Sequence, residues 1–179
     1  MFFEGLHHMA QLDLDIVTDG AFFRGEDFEP VRYAGAYRRT LQFIDRLCNT
    51  NVPVIGFTCW AEQKPIRAKK QGEKQEDIPR KWYSSLPGQL GMNLIKGRFS
   101  VTAYQTLKAK KNAAGQVVKN VRGETEYDAF WQIKEDQHVF CAGIKGDPTV
   151  TELMPMVIPA SYIALDDAWR HAEQEAIHP

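Results

Sequence analysis

Lysine and arginine neutralise phosphate, aromatic rings stack on bases, and this chain gathers both kinds of side chain in its middle. Residues 64–122 hold 14 basic side chains against Glu73, Glu76 and Asp77, a net of +11, and residues 78–123 hold no acid at all. Lys64, Arg67, Lys69, Lys70, Arg80 and Lys81 open the stretch; Arg98, Lys108, Lys110, Lys111, Lys119 and Arg122 close it, with Trp82 and Tyr104 among them. Such a set suits a nucleic-acid backbone, the cations pairing with phosphates and the rings offering stacking platforms. The rest of the chain carries a net of −12, so the overall charge of −1 conceals a cationic middle between anionic flanks. Hairpin tips and edge strands carry lysine for a plainer reason as well, because it discourages sheet-to-sheet association.

Other chemistries have thinner support. Asp13 and Asp15 are two apart, and on a strand both carboxylates would leave one face, as Mg²⁺-dependent phosphoryl chemistry requires; Asp19 follows in the next turn. Any amphipathic acidic strand has the same spacing. Asp128, Gln132 and Lys134 follow a carboxylate–Gln–x–Lys order of the kind that serves metal-dependent nucleases, yet all three fall on one strand, where a polar outer face explains them. Cys59 with His138 or His171 would make a nucleophile and base only if the fold joined them. No Cys or His spacing suits a metal site, and no glycine-rich loop follows a strand and opens a helix to cradle phosphate. Neither metal nor cofactor is expected.

The elements that would position these residues read as follows. Alternation of Leu12, Leu14 and Ile16 with Asp13 and Asp15 predicts a strand over 11–17. Apolar residues at spacings of three, four and seven predict a helix over 31–48, entered at Pro30. A short apolar run at 52–60 predicts a second strand, with Pro53 at its edge. Residues 62–80 are nearly devoid of apolar side chains, which predicts a mobile basic loop.

An antiparallel meander is then expected. Phe99, Val101, Ala103 and Leu107 face the core in its first strand, and Asn112-Ala113-Ala114-Gly115 makes a hairpin turn with Gly115 at positive φ. Residues 116–122 return as the second strand, and strands over 126–134, with Tyr127, Ala129, Trp131 and Ile133 on one face, and over 138–142 complete it. Ser161 caps a closing helix with a stripe of Leu165, Ala168, Trp169, Ala172 and Ala176. No internal repeat or low-complexity tract stands out.

At 179 residues, 44% hydrophobic and 25% charged, the chain has the composition of a folded domain. Residues 1–10 read as a flexible leader, with Met9 an alternative start, and 11–179 as a single α+β domain. Its expected order is an N-terminal strand–helix–strand unit, an antiparallel β-meander and a closing C-terminal helix. Three cysteines make no disulfide framework, and no apolar run approaches the ~20 residues of a membrane span. The expected setting is cytoplasmic. The leading expectation is a non-catalytic accessory protein that binds DNA or RNA through a basic loop and a basic hairpin. Two alternatives stand beside it: a metal-dependent phosphodiesterase or nucleotidyl transferase using Asp13 and Asp15, and a regulatory or inhibitor module that docks an acidic protein.

Overall fold

A computed structural model describes residues 2–23, 38–52, 54–67, 70–72, 74, 78–86 and 98–178. The fold is mixed α+β and forms two compact units, 1–99 and 100–179.

The first unit begins where a flexible leader was expected. Strand β1 (Phe2–Phe3) pairs in parallel with β2 (Gly56–Phe57), and α1 (Leu6–Phe23) and α2 (Arg38–Cys48) lie between them in the chain. The Leu6 N–H donates to the Thr58 carbonyl at 2.9 Å, and the Thr58 N–H to that of Phe3 at 2.9 Å. The Phe3 ring stacks on Phe57 with centroids 5.2 Å apart. Residues 2–10 are thus tied into the fold by backbone pairing and by burial of Leu6 and Ala10.

The strand expected over 11–17 is part of α1. Leu6, Ala10 and Asp13 are buried at helical spacing, while Leu12 and Ile16 face solvent. Alternation misled because one position of the buried stripe is a carboxylate. Asp13 accepts hydrogen bonds from the Thr40 N–H at 2.7 Å and from the Thr40 hydroxyl, at the start of α2. The N–H groups of a first helical turn have no partner within their own helix, and a carboxylate there satisfies one while complementing the helix dipole. Leu41 and Ile44 of α2 join Leu6, Ala10 and Leu86 in the core. The expected helix residues 31–37 lie outside the described residues.

The two ends of the expected loop over 62–80, residues 62–65 and Arg80, belong to a hairpin. Strand β3 (Ala61–Pro65) pairs antiparallel with β4 (Arg80–Ser84), and the Ile66 N–H extends the ladder to the Pro79 carbonyl at 3.0 Å. Backbone pairing needs no apolar sequence, which is why composition concealed this strand. Ile78, the apolar residue beside it, is buried.

In the second unit, β5 (Val101–Thr102) pairs with β8 (Gly143–Ile144), and β6 (Tyr104–Ala109), β7 (Tyr127–Gln132) and β9 (Val157–Pro159) form an antiparallel sheet in that order. A short helix, α3 (Pro148–Leu153), is capped by the Asp147 carboxylate, which accepts from the Thr149 N–H at 2.8 Å. The closing helix α4 (Tyr162–Ile177) is capped by Ser161, whose hydroxyl accepts from the Ala164 N–H at 3.0 Å. The expected stripe Leu165, Ala168, Trp169, Ala172 and Ala176 packs with Ile133, Val150, Met154 and Ile158. Backbone and helix meet closely at Gly146, where an added methyl would overlap the Trp169 ring.

Three expectations in this unit are corrected. The strand expected over 116–122 gives way to a turn after Asn120, where the Gly123 N–H donates to the Asn120 carbonyl at 2.9 Å. Residues 138–142 form no strand beyond the single bridge residue Val139; the chain turns at Asp136, which donates its N–H to the Val139 carbonyl at 3.1 Å and accepts from the His138 and Val139 N–H groups at 2.7 Å each. Burial alone pushes the Asp136 carboxyl up, but those bonds, the Gln132 side chain and the charge of His138 outweigh it and hold the group below its ordinary value. Leu107, expected to face the core, is 61% exposed. Among the described residues, no helix is long and apolar enough to cross a membrane.

Candidate nucleic-acid interface

Between β6 and β7 the chain makes two hairpin turns of one design. The Asn112 N–H donates to the Gln116 carbonyl and the Gly115 N–H to the Asn112 carbonyl, both at 2.9 Å; the Asn120 N–H to Glu124 and Gly123 N–H to Asn120 repeat those bonds at the same lengths. Each asparagine Oδ1 also accepts two backbone N–H groups, from Ala114 and Gln116 in one turn and from Arg122 and Glu124 in the other. Gly115 and Gly123 sit at φ of 78° and 80°, the left-handed conformation that closes a three-residue hairpin loop. This is an eight-residue repeat that the sequence reading passed over: Lys111-Asn112-Ala113-Ala114-Gly115-Gln116-Val117-Val118, then Lys119-Asn120-Val121-Arg122-Gly123-Glu124-Thr125-Glu126. A shared Lys-Asn-x-x-Gly was the available signal.

The repeat closes on itself. The Lys110 N–H donates to the Glu126 carbonyl at 2.9 Å, Glu126 to Val118 at 3.0 Å, and Val118 to Lys110 at 2.8 Å. Three strands therefore meet in a ring of three hydrogen bonds. One residue pair flanks the ring on each arm: Lys111 with Val117, Lys119 with Thr125, and Ala109 with Tyr127. Successive strand residues point to opposite faces. Those six residues share one face, and Lys110, Val118 and Glu126 take the other.

This alternation sorts the expected cations of the second unit. Lys110 is ion-paired with Glu126 at 3.2 Å, and Lys108 lies over the Phe130 ring at 5.1 Å, with Asp128 opposite it in the ladder. The side chains of Lys111, Lys119 and Arg122 make no ion pair among the described residues. All three are exposed, and between residues 110 and 124 only Val118 and Asn120 are even half-buried. Tyr104 is half-buried; burial first, then the Cys141 thiol, raises its hydroxyl pKa. The open ring on the hairpin is Tyr127, 58% exposed, which periodicity had assigned to the core face.

In the first unit, β3 and β4 bring Lys64 directly opposite Lys81, and Lys64 is ion-paired with Glu62 at 2.8 Å. Trp82, opposite Gln63, is half-buried. Arg67, Lys70 and Arg80 are exposed, and Arg98 is held by Asp45 at 3.3 Å. Lys69 lies outside the described residues.

The remaining candidates separate. Asp13 and Asp15 leave α1 in different directions, one to Thr40 and the other to the Gln11 side chain at 2.7 Å, so they do not form the carboxylate pair that phosphoryl chemistry needs. Asp19 belongs to the same helix. Among the described residues, no three His, Cys, Asp or Glu side chains are grouped to hold a metal ion. One cluster lay unsuspected in the supposed leader. His7 is buried, stacks on Trp60 at 4.6 Å and lies 4.0 Å from the His8 ring, and neither of its ring nitrogens has a hydrogen-bond partner among the described residues. Burial, and secondarily the charge of His8, hold its pKa below the ordinary imidazole value. No family model, curated protein or solved structure matches the chain.

Proposed function

We propose that this chain is a non-catalytic accessory protein that binds nucleic acid, contacting phosphates through the cationic turns between β6 and β7. The observation that carries this reading is the set Lys111, Lys119 and Arg122, exposed on an element with almost no core of its own and without acidic partners among the described residues. Exposed lysines kept for solubility alone are ordinarily interspersed with acids, whereas residues 100–123 contain none. The basic β3–β4 hairpin is a second cationic element, and the reading does not depend on it.

Salt dependence is the test. Three neutralised phosphates imply that affinity falls about 20-fold for a single strand, or about 40-fold for a duplex, between 50 and 200 mM salt. Fluorescence anisotropy with labelled oligonucleotides measures this directly. Lys111→Glu with Lys119→Glu should weaken binding about equally across sequences. Undetectable binding at low ionic strength, or binding indifferent to salt, overturns the reading; capture of an acidic protein in its place would then favour a protein-docking role.

A further inference from the structure

The three-way strand junction carries a more specific inference, which rests on the nucleic-acid reading. Tyr127 is the aromatic residue of the junction face, and its surroundings differ from those of a ring that serves packing. Tyr127 is 58% exposed, and its side chain makes no hydrogen bond or aromatic ring contact among the described residues. The residue directly opposite it is Ala109, too small to cover it. Lys111 is two residues beyond Ala109 on one arm, and Lys119 faces Thr125, two residues before Tyr127, on another. Two strand residues span about 7 Å, so both lysines leave the junction on the face of Tyr127, each from a neighbouring arm. The acid of the junction, Glu126, points to the opposite face and is engaged there by Lys110.

We propose that this face binds single-stranded nucleic acid, with one base stacked on Tyr127 and the adjoining phosphates held by Lys111 and Lys119. The charge selects a polyanion, and the uncovered ring selects a polyanion with free π-faces. Bases within a duplex are already stacked on one another, so an exposed tyrosine on the strand junction gains from them only after they unstack. Stacking is available to every base, so recognition is tolerant of sequence.

Anisotropy titrations of the full chain with a labelled 12-nucleotide oligothymidine and a duplex of equal length test the proposal. At low salt the single strand should bind at least about tenfold more tightly. Tyr127→Leu should weaken single-strand binding about fivefold or more while leaving the salt slope unchanged, and Tyr127→Phe should restore it. Lys119→Gln should reduce the slope by about 0.7. Tyr162, exposed on α4, provides the control, and Tyr162→Leu should have no effect. Equal binding of strand and duplex, with Tyr127→Leu neutral, overturns this inference and leaves the phosphate-binding reading standing. Failure of both oligonucleotides to bind at low salt overturns both.

Discussion

At the scale of single residues, two buried polar side chains in α1 matter most, and they act in opposite senses. Asp13 is fully engaged. Its carboxylate satisfies both the backbone N–H and the hydroxyl of Thr40, itself completely buried. Asp13→Ala would leave both donors without a partner in the core and should destabilise the protein by about 2–4 kcal/mol in urea denaturation. Asp15→Ala, at an exposed position, should stay within about 0.5 kcal/mol. His7 is the reverse case, buried with neither nitrogen paired among the described residues. Its folded pKa is lowered, so the unfolded chain takes up the proton first. The stability tied to its neutral form is complete above the ordinary value of 6.5 and is lost as pH falls through the lowered folded value. His7→Phe keeps an aromatic ring beside Trp60 and removes the titration. It should flatten the dependence of the urea midpoint on pH below 6.5 and leave the midpoint at pH 8 unchanged or higher.

Elements were legible wherever their buried positions are all apolar. The α4 stripe, an unbroken series of Leu, Ala and Trp, could be read residue by residue, as could its serine cap. By contrast, α1 was hidden because His7 and Asp13 occupy buried positions, which left an accidental alternation as the strongest pattern. The hairpin faces were misjudged for a related reason. Leu107 and Tyr127 are correctly spaced for a core, yet both are more than half exposed, and periodicity cannot distinguish a face that packs from one left open. The tandem turns were half legible: the first was read from Asn112 and Gly115, and the second follows from the same letters eight residues on. Each glycine has free space around it, so only its backbone angle resists substitution. Gly115→Ala and Gly123→Ala should each cost about 1–2 kcal/mol, and Asn in place of either glycine should cost less, measured by thermal or urea unfolding.

On the scale of the molecule, charge is organised within the second unit as well as along the chain. Residues 100–179 carry a net of −3, but residues 100–123 contribute +5 and residues 124–179 contribute −8. A polyanion meeting this unit is therefore repelled by most of it and drawn to the turns, a field that orients the encounter before any contact forms. Among the described residues, the named strands of this unit pair with one another, β5 with β8 and β6, β7 and β9 together, over a core of its own. A fragment spanning 100–179 should accordingly fold alone, with dispersed amide resonances and a cooperative melt. It should keep the salt-dependent binding we propose for the turns.

The closed ring at Lys110, Val118 and Glu126 has a kinetic consequence. Its bonds join residues 8 or 16 apart in the chain, whereas β7 and β9 must find each other across more than 20 intervening residues. Closing a short loop costs less entropy than closing a long one, so the junction can assemble before the sheet and serve as its nucleus. The β6–β7 stem would then zip from the ring toward Tyr104 and Gln132. Gly123→Ala should in that case slow refolding more than it hastens unfolding, giving a φ-value above about 0.5 in a chevron analysis. The element through which we propose the protein meets its ligand would also be the one from which its second unit begins to fold.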